Sequence, residues 1–189
     1  VRYAGQEINI NQPTDAIKRG IAMLTEDRRA TGILGVLSIA DNVSIASLDK
    51  YLIGGILLDD KKIEKLVQNN VAKLSIKTPS SKTLIQSLSG GNQQKVVISK
   101  WLASSPSILI LDEPTRGIDV GAKFEVYGLI QEMVSRGISI IMISSELPEL
   151  LGLSDRVYVM HNGKINACLD RDQMDQQTVL NYAFGVNGK

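Results

Sequence analysis

The stretch Ile108-Leu109-Ile110-Leu111-Asp112-Glu113-Pro114-Thr115 decides the fold class of this chain. Its four consecutive apolar residues predict a strand that is buried on both faces, as in a parallel sheet covered by helices. Two adjacent carboxylates follow at the carboxyl end of the strand, which is where open α/β sheets bind their ligands. An acidic turn without any chemistry would have the same sequence, so both interpretations stay open at this point.

Two further apolar runs, Ile21 to Leu24 and Ile138 to Ile143, predict additional strands of the same sheet. A helical pattern from Lys123 to Val134, followed by Gly137 at the position of a C-terminal cap, connects the strand at Ile108 to the one at Ile138. This order makes a βαβ unit, and so predicts an α/β fold with a mostly parallel sheet. Helical spacing also predicts helices over residues 60–74 and 92–104.

The rest of the chain predicts two additions to this α/β core. Residues from about 41 to 86 are helical and less sheet-like, so we expect a helical subdomain inserted into a single domain over residues 1–189. Near the C-terminus, two short strands flank the turn at Asn162-Gly163, a pair that suits a tight hairpin. A last helix, from about Asp175 to Phe184, closes the fold.

Composition narrows the classes of protein to which the chain can belong. Its net charge of +1 argues against a dedicated nucleic-acid surface. The chain has no apolar run long enough to span a membrane and no signal-peptide pattern, so we expect a cytosolic protein that meets a membrane only through a partner. The one cysteine, Cys168, cannot form an internal disulfide and is expected to be a small core residue.

Adjacent carboxylates at a strand end can divide the work of phosphoryl transfer. Asp112 would orient Mg²⁺ or its water shell, and Glu113 would polarise the attacking water.

A second motif, Leu88-Ser89-Gly90-Gly91-Asn92-Gln93-Gln94-Lys95, leads directly into a predicted helix. Two glycines allow backbone N–H groups to approach an anion closely, and a helix N-terminus carries about half a positive charge. Ser89 can donate a further hydrogen bond. A serine cap followed by flexible glycines would explain the motif equally simply if it stood alone.

Taken together, the two motifs resemble the signature and the Walker B sequences of the ATP-binding-cassette family, whose fold is that of the P-loop NTPases. The chain resembles in particular the C-terminal nucleotide-binding domain of two-domain ATPase subunits that power monosaccharide import. This narrower resemblance rests on four strings of residues: 25–29 (TEDRR), 88–95, 112–123 (DEPTRGIDVGAK) and 144–149 (SSELPE).

The resemblance implies a role for each matching residue. Ser89, Gly90, Gly91 and Asn92 would help bind ATP held by a partner cassette, and Asp119 would contact that partner. The implied cofactors are therefore ATP and Mg²⁺. The implied partners are a second cassette, a membrane permease and, indirectly, a sugar-binding protein, which would place the chain at the cytoplasmic face of the membrane.

Three departures from the family pattern separate this chain from a complete cassette. The sequence contains no Gly-x-x-x-x-Gly-Lys-Ser/Thr, so we expect the P-loop and its strand to precede Val1 in a longer protein. Ser145 stands where the family has a histidine that contacts the γ-phosphate, and serine cannot shuttle protons as imidazole does. Glu26 stands where a glutamine usually senses Mg²⁺. Both substitutions predict weak hydrolysis at the chain's own site.

The sequence therefore predicts a fragment of a sugar importer ATPase whose signature motif completes the ATP site of a partner. Two alternatives remain. A catalytically silent regulatory cassette is favoured by Ser145, Glu26 and the missing P-loop. A soluble, non-transport cassette ATPase would need long insertions or basic arms, and the sequence shows neither.

Overall fold

The computed structural model describes residues 1–3 and 5–186, which form two compact units divided between Ile143 and Ser144. The nine strands of the described residues are β1 (Arg2–Tyr3), β2 (Gln6–Glu7), β3 (Ile21–Leu24), β4 (Leu52–Ile53), β5 (Leu57–Leu58), β6 (Ile108–Asp112), β7 (Ser139–Ile143), β8 (Arg156–His161) and β9 (Lys164–Asp170). The α-helices are α1 (Pro13–Lys18), α2 (Ile39–Ser44), α3 (Asp60–Lys73), α4 (Gly90–Ala103), α5 (Val120–Ser135), α6 (Leu147–Leu153) and α7 (Gln176–Ala183).

The first unit is built on the predicted parallel sheet. Its strand order is β3-β6-β7, with Ile21 beside Ile108 and Ile108 beside Ser139, so all three carboxyl ends lie at the same edge. The predicted strands and the βαβ connection through α5 are thus confirmed. Gly137, with a φ of 86°, follows the last turn of α5 as predicted.

Burial of the sheet differs from the prediction on one face. Leu24, Leu109 and Leu111 are fully buried, whereas Ile141 and Ile143 on β7 are about half exposed. The expectation of strands buried on both faces is therefore correct for one face only. The reason is the two-residue period of a strand, which turns alternate side chains away from the packed helices toward a face that the described residues leave open.

Helix α4 is the element around which the first unit packs. It contacts β3 and α5, and it also packs against α2 and α3 of the predicted helical insertion. Ile39, Val43 and Val67 are completely buried in that layer. The insertion is not purely helical, since β4 and β5 form a short hairpin within it, and it belongs to the same compact unit as the sheet.

The second unit, from Ser144 onward, contains the predicted hairpin and closing helix. Strands β8 and β9 are joined by Asn162 and Gly163, whose φ angles of 49° and 76° are those of a type I′ turn. A small apolar core holds Val157, Val159 and Leu169 together with Val179 of α7.

Cys168 corrects one of the sequence predictions. It is exposed, because it alternates with the buried Leu169 along β9 and lies opposite Tyr158 on the outer face of the hairpin. Among residues 1–3 and 5–186, no helix is both long enough and apolar enough to cross a lipid bilayer.

Candidate functional site at the carboxyl edge of the parallel sheet

The predicted carboxylates lie where β6 ends and the chain turns. Asp112 is the last residue of β6, and Glu113 follows with a φ of 48°, a left-handed conformation that is uncommon for a residue with a side chain. Two backbone hydrogen bonds hold this turn: the Glu113 N–H donates to the Ile143 carbonyl (2.8 Å) and the Arg116 N–H to the Glu113 carbonyl (3.1 Å). Such a strained conformation costs about 1–3 kcal/mol, so the surrounding structure must stabilise it.

Glu26 follows β3 at the same edge of the sheet. Its carboxylate forms an ion pair with Arg116, which comes from the turn after β6. Both side chains are more than half exposed, so the pair contributes little to stability. Its consequence is electrostatic, because Arg116 offsets the negative charge that Glu26 brings close to the turn with Asp112 and Glu113, here called the carboxylate turn.

The signature motif forms the N-terminus of α4, a helix of 14 residues. Ser89 is the N-cap residue by backbone conformation, but its side chain makes no capping hydrogen bond to the helix. The Asn92 side chain bridges two segments, because its Nδ2 donates to Ser89 Oγ (2.9 Å) and its Oδ1 accepts from the Lys77 N–H (2.8 Å). Asn92 thus orients the serine hydroxyl and ties it to the helical insertion.

Gly90 and Gly91 are required by packing inside the chain. A Cβ atom on Gly91 would lie 2.5 Å from the Cβ of Ala122 in the first turn of α5. A Cβ on Gly90 would lie 3.1 Å from the Gly117 carbonyl oxygen and 3.1 Å from Arg28 Nη2. The sequence interpretation assigned these glycines to anion binding alone. The structure adds that they bring the signature against residues 117–122.

Asp119 has a definite structural role at the end of that segment. It is the N-cap residue of α5, and its Oδ1 accepts a hydrogen bond from the Ala122 N–H (2.9 Å). Its predicted contact with a partner cassette stays a prediction.

Ser145 lies in the second compact unit and is exposed. Its neighbour Ser144 is fully engaged there, because its hydroxyl donates to Glu149 Oε2 and accepts from the Glu146 N–H. The predicted catalytic role of Ser145 also stays a prediction.

Sequence reasoning missed a buried polar group at the centre of this region. Gln94 and Lys95 are each only 2% exposed, although glutamine and lysine side chains are mostly exposed in proteins. Lys95 pairs with Glu125 of α5 (2.5 Å), and Gln94 Nε2 donates to the Pro114 carbonyl (2.6 Å). Helical spacing could have identified Gln94, because it lies three, four and seven residues before the apolar positions 97, 98 and 101.

The residues present fit one side of a Mg²⁺-nucleotide site. Ser89 offers a hydroxyl donor beside a helix N-terminus, a combination that suits a phosphate. In the described part of the chain, no group of three or more His, Cys, Asp or Glu side chains could hold a metal ion. A role for Asp112 is compatible with this finding, since Mg²⁺ is commonly bound through one or two carboxylates together with waters and substrate phosphates.

A parallel sheet whose central strand ends in paired carboxylates, packed against a glycine-rich helix N-terminus, defines an α/β nucleotide-binding cassette. The profile of the family described as "ABC transporter" matches residues 1–116. The chain belongs to this family.

Curated relatives agree with that assignment. The chain is 50% identical over 179 residues to the galactose/methyl galactoside import ATP-binding protein MglA of Clostridium tetani, covering 95% of this chain and 36% of the relative. It is 50% identical to the xylose import ATP-binding protein XylG of Thermoanaerobacter pseudethanolicus (96% and 36%). It is 48% identical to the ribose import ATP-binding protein RbsA of Clostridium perfringens (97% and 36%). The chain therefore spans about a third of the length of these relatives.

Solved structures show the same fold at low sequence identity. The ATP-binding cassette MJ0796 bound to ADP and Pi has a TM-score of 0.74 at 17% identity, over 89% of this chain and 72% of that one. CbiO1 of Clostridium perfringens, part of the ABC transporter complex cbiONQ, has a TM-score of 0.74 at 22% identity, over 98% and 71%. The predicted P-loop NTPase-like fold is thereby confirmed.

Proposed function

We propose that this chain is part of the ATP-hydrolysing subunit of a sugar import system, and that its signature motif completes an ATP site held by a second cassette. The import proteins to which it is about half identical support the transport role. The partners would be the second cassette, a membrane permease and, indirectly, a sugar-binding protein. The chain would then act at the cytoplasmic face of the membrane, with ATP and Mg²⁺ as its cofactors.

The observation that carries this proposal is the state of the Ser89 hydroxyl. Its oxygen accepts from Asn92 and its side chain does not cap α4, so the hydroxyl proton can be donated to a group outside the chain. Ser89 is exposed, and the N-terminus of α4 beside it carries a partial positive charge. This combination suits the γ-phosphate of a nucleotide bound by another cassette.

The carboxylate turn supplies the chain's own share of the chemistry. Asp112 would hold Mg²⁺ or orient its waters, and Glu113 would accept a proton from the attacking water. Glu26 is paired with Arg116, and a serine at position 145 cannot shuttle protons. We therefore assign the larger share of hydrolysis to the site that the signature completes.

A catalytically silent regulatory cassette is the second candidate function. The ion pair between Glu26 and Arg116 favours it, because a metal-sensing side chain that is already paired responds less to nucleotide. The two candidates differ in what the signature does. Ser89 contributes to turnover in the first and not in the second.

The deciding experiment is Ser89→Arg in the full-length subunit, with ATP turnover and transport measured in membrane vesicles. Arginine would displace the hydroxyl and fill the space beside Gly90 and Gly91. Removing one well-placed donor at such a site typically costs about 10²- to 10³-fold in rate. ATP binding, followed by photo-crosslinked nucleotide, should persist at the other cassette.

Ser87→Arg is the matched control. Ser87 is also exposed and lies two residues upstream, where its hydroxyl donates to the Leu84 carbonyl. It should retain near-normal turnover. If Ser89→Arg also retains near-normal turnover, the regulatory candidate is the better one.

A further inference from the structure

Two polar contacts of the buried Gln94 side chain join three segments that carry candidate site residues. Gln94 of α4 donates from Nε2 to the Pro114 carbonyl at 2.6 Å, and Pro114 directly follows Glu113. The Oε1 of Gln94 accepts from Arg28 Nη1 at 3.4 Å, and Arg28 lies two residues after Glu26. We propose that Gln94 and Arg28 are positioning residues that hold the signature helix and the carboxylate turn in one fixed arrangement. This inference rests on the proposed function.

Arg28 lies partly buried between these segments. Its Nη2 lies 3.1 Å from where a Cβ of Gly90 would be, and its Nε is buried without a hydrogen-bond partner. Burial lowers the pKa of Arg28; the nearby charge of Arg29 lowers it further, while that of Asp27 opposes the shift. A guanidinium nonetheless keeps its charge in proteins. The signature helix therefore begins against a fixed cation that comes from the segment after β3.

The side-chain amide of Gln94 is suited to this position because it donates on one side and accepts on the other. The neighbouring Gln93 is also buried, but its Nε2 donates to the carbonyls of Ile85 and Leu88, just before its own helix. Gln93 thus stabilises the segment that precedes the signature, whereas Gln94 contacts the turn that follows β6. The two glutamines have the same chemistry and different connections.

The arrangement has a consequence for communication between ATP sites. A displacement of the α4 N-terminus, where Ser89 would meet a nucleotide on the partner, is transmitted through Gln94 to the turn that contains Glu113. The glycine contacts with residues 117–122 reinforce this connection. Loss of the Gln94 amide should then misplace the signature during turnover and leave the binding of nucleotide by the partner unaffected.

The test is Gln94→Met in the full-length subunit, with kcat and KM for ATP measured alongside thermal stability. One hydrogen bond is worth about 0.5–1.5 kcal/mol, so we expect kcat to fall by about two- to tenfold. KM for ATP should stay unchanged. Gln94→Glu keeps the acceptor for Arg28 and loses the donor to Pro114, so its kcat should fall by the same factor. This second variant tests the inference if the Met variant does not fold.

Asn42→Leu is the control for stability. Asn42 is likewise an amide that is 2% exposed, and its Nδ2 donates to the carbonyls of Leu34 and Ser38, which come just before α2. It should lower stability at least as much as Gln94→Met and leave kcat per folded molecule unchanged. An equal kcat for the Gln94 and Asn42 variants would overturn the inference. A wild-type subunit without ATP turnover would instead overturn the proposed function on which the inference rests.

Discussion

The signature at the N-terminus of α4 (residues 88–95) and the carboxylate turn after β6 (residues 112–115) carry the two motifs that identify the family. They differ in the groups that they offer to a ligand. At the signature, the Ser89 hydroxyl makes no capping hydrogen bond to α4, and Gly90 and Gly91 lie close against residues 117–122. At the turn, Glu113 has a left-handed backbone and nearby Glu26 is already paired with Arg116. The first region is ready to act on an external group, while the second is engaged with its own chain.

Under the proposed function, this difference predicts a division of labour between two ATP sites. A cassette can lose efficiency at its own site and remain necessary, provided that its signature still completes the site of its partner. Tight packing of Gly91 against Ala122 and the contact of Gln94 with Pro114 explain how the signature keeps its geometry.

The largest effect is expected from replacing the proposed general-base carboxylate of each cassette, one cassette at a time. In the other cassette, replacing the carboxylate equivalent to Glu113 by its amide should reduce ATP turnover by about 10²- to 10⁴-fold, which is the usual value of general-base assistance. Glu113→Gln should reduce it by less than this, because Glu26 is already paired with Arg116 and the proposed function assigns the smaller share of turnover to the chain's own site. Turnover assays of both full-length variants in membrane vesicles provide the measurement. A larger loss from Glu113→Gln would reverse the assignment of the two sites.

A smaller effect is expected from filling the space beside the signature. Gly91→Ala places a Cβ 2.5 Å from that of Ala122, and overpacking of this kind costs about 1–3 kcal/mol of stability. Gly128→Ala, in the interior of α5 with no atom within 4 Å of the new Cβ, should instead gain about 0.5–1 kcal/mol. Chemical denaturation of the full-length variants measures both changes. Adding Ala122→Gly to Gly91→Ala removes the close contact, so the double variant should lose less stability than the sum of the two single variants, although a glycine in α5 itself costs about 0.5–1 kcal/mol. A purely additive loss would mean that the close approach to α5 is not why position 91 is glycine.

The smallest effect separates two roles of Asp119. Asp119→Ala should cost about 0.5–2 kcal/mol of stability because α5 loses its N-terminal cap. Asp119→Asn should keep that stability, since asparagine caps a helix as well as aspartate does. If Asp119 also contacts the partner through its charge, turnover of the Asn variant should fall by about two- to tenfold, the value of one hydrogen bond. Unchanged turnover in the Asn variant would leave the cap as its whole role.

The sequence predicted the parallel strands and the long helices well, since each of these has a local signal. Four apolar residues before Asp112 identify β6, and Asn162-Gly163 identifies the hairpin turn. Local signals gave the wrong burial for Cys168. The seven residues of β9 predict a strand, but they do not show which alternate side chains face the core. Local signals also failed to show that the helical insertion contains the short hairpin of β4 and β5.

Sequence alone identified the family and the βαβ unit of β6, α5 and β7, and it predicted residues that could contact a nucleotide. The packed structure was needed to show why positions 90 and 91 are glycines. It was also needed to show that Gln94 is buried against Pro114 and that Glu26 is paired with Arg116. The difference lies in the sequence separation of the residues that interact. Periodicity and motif spacing record how neighbouring residues share a helix or a strand, whereas these contacts join residues 20 to 90 positions apart. Contacts of that kind exist only once the elements have packed.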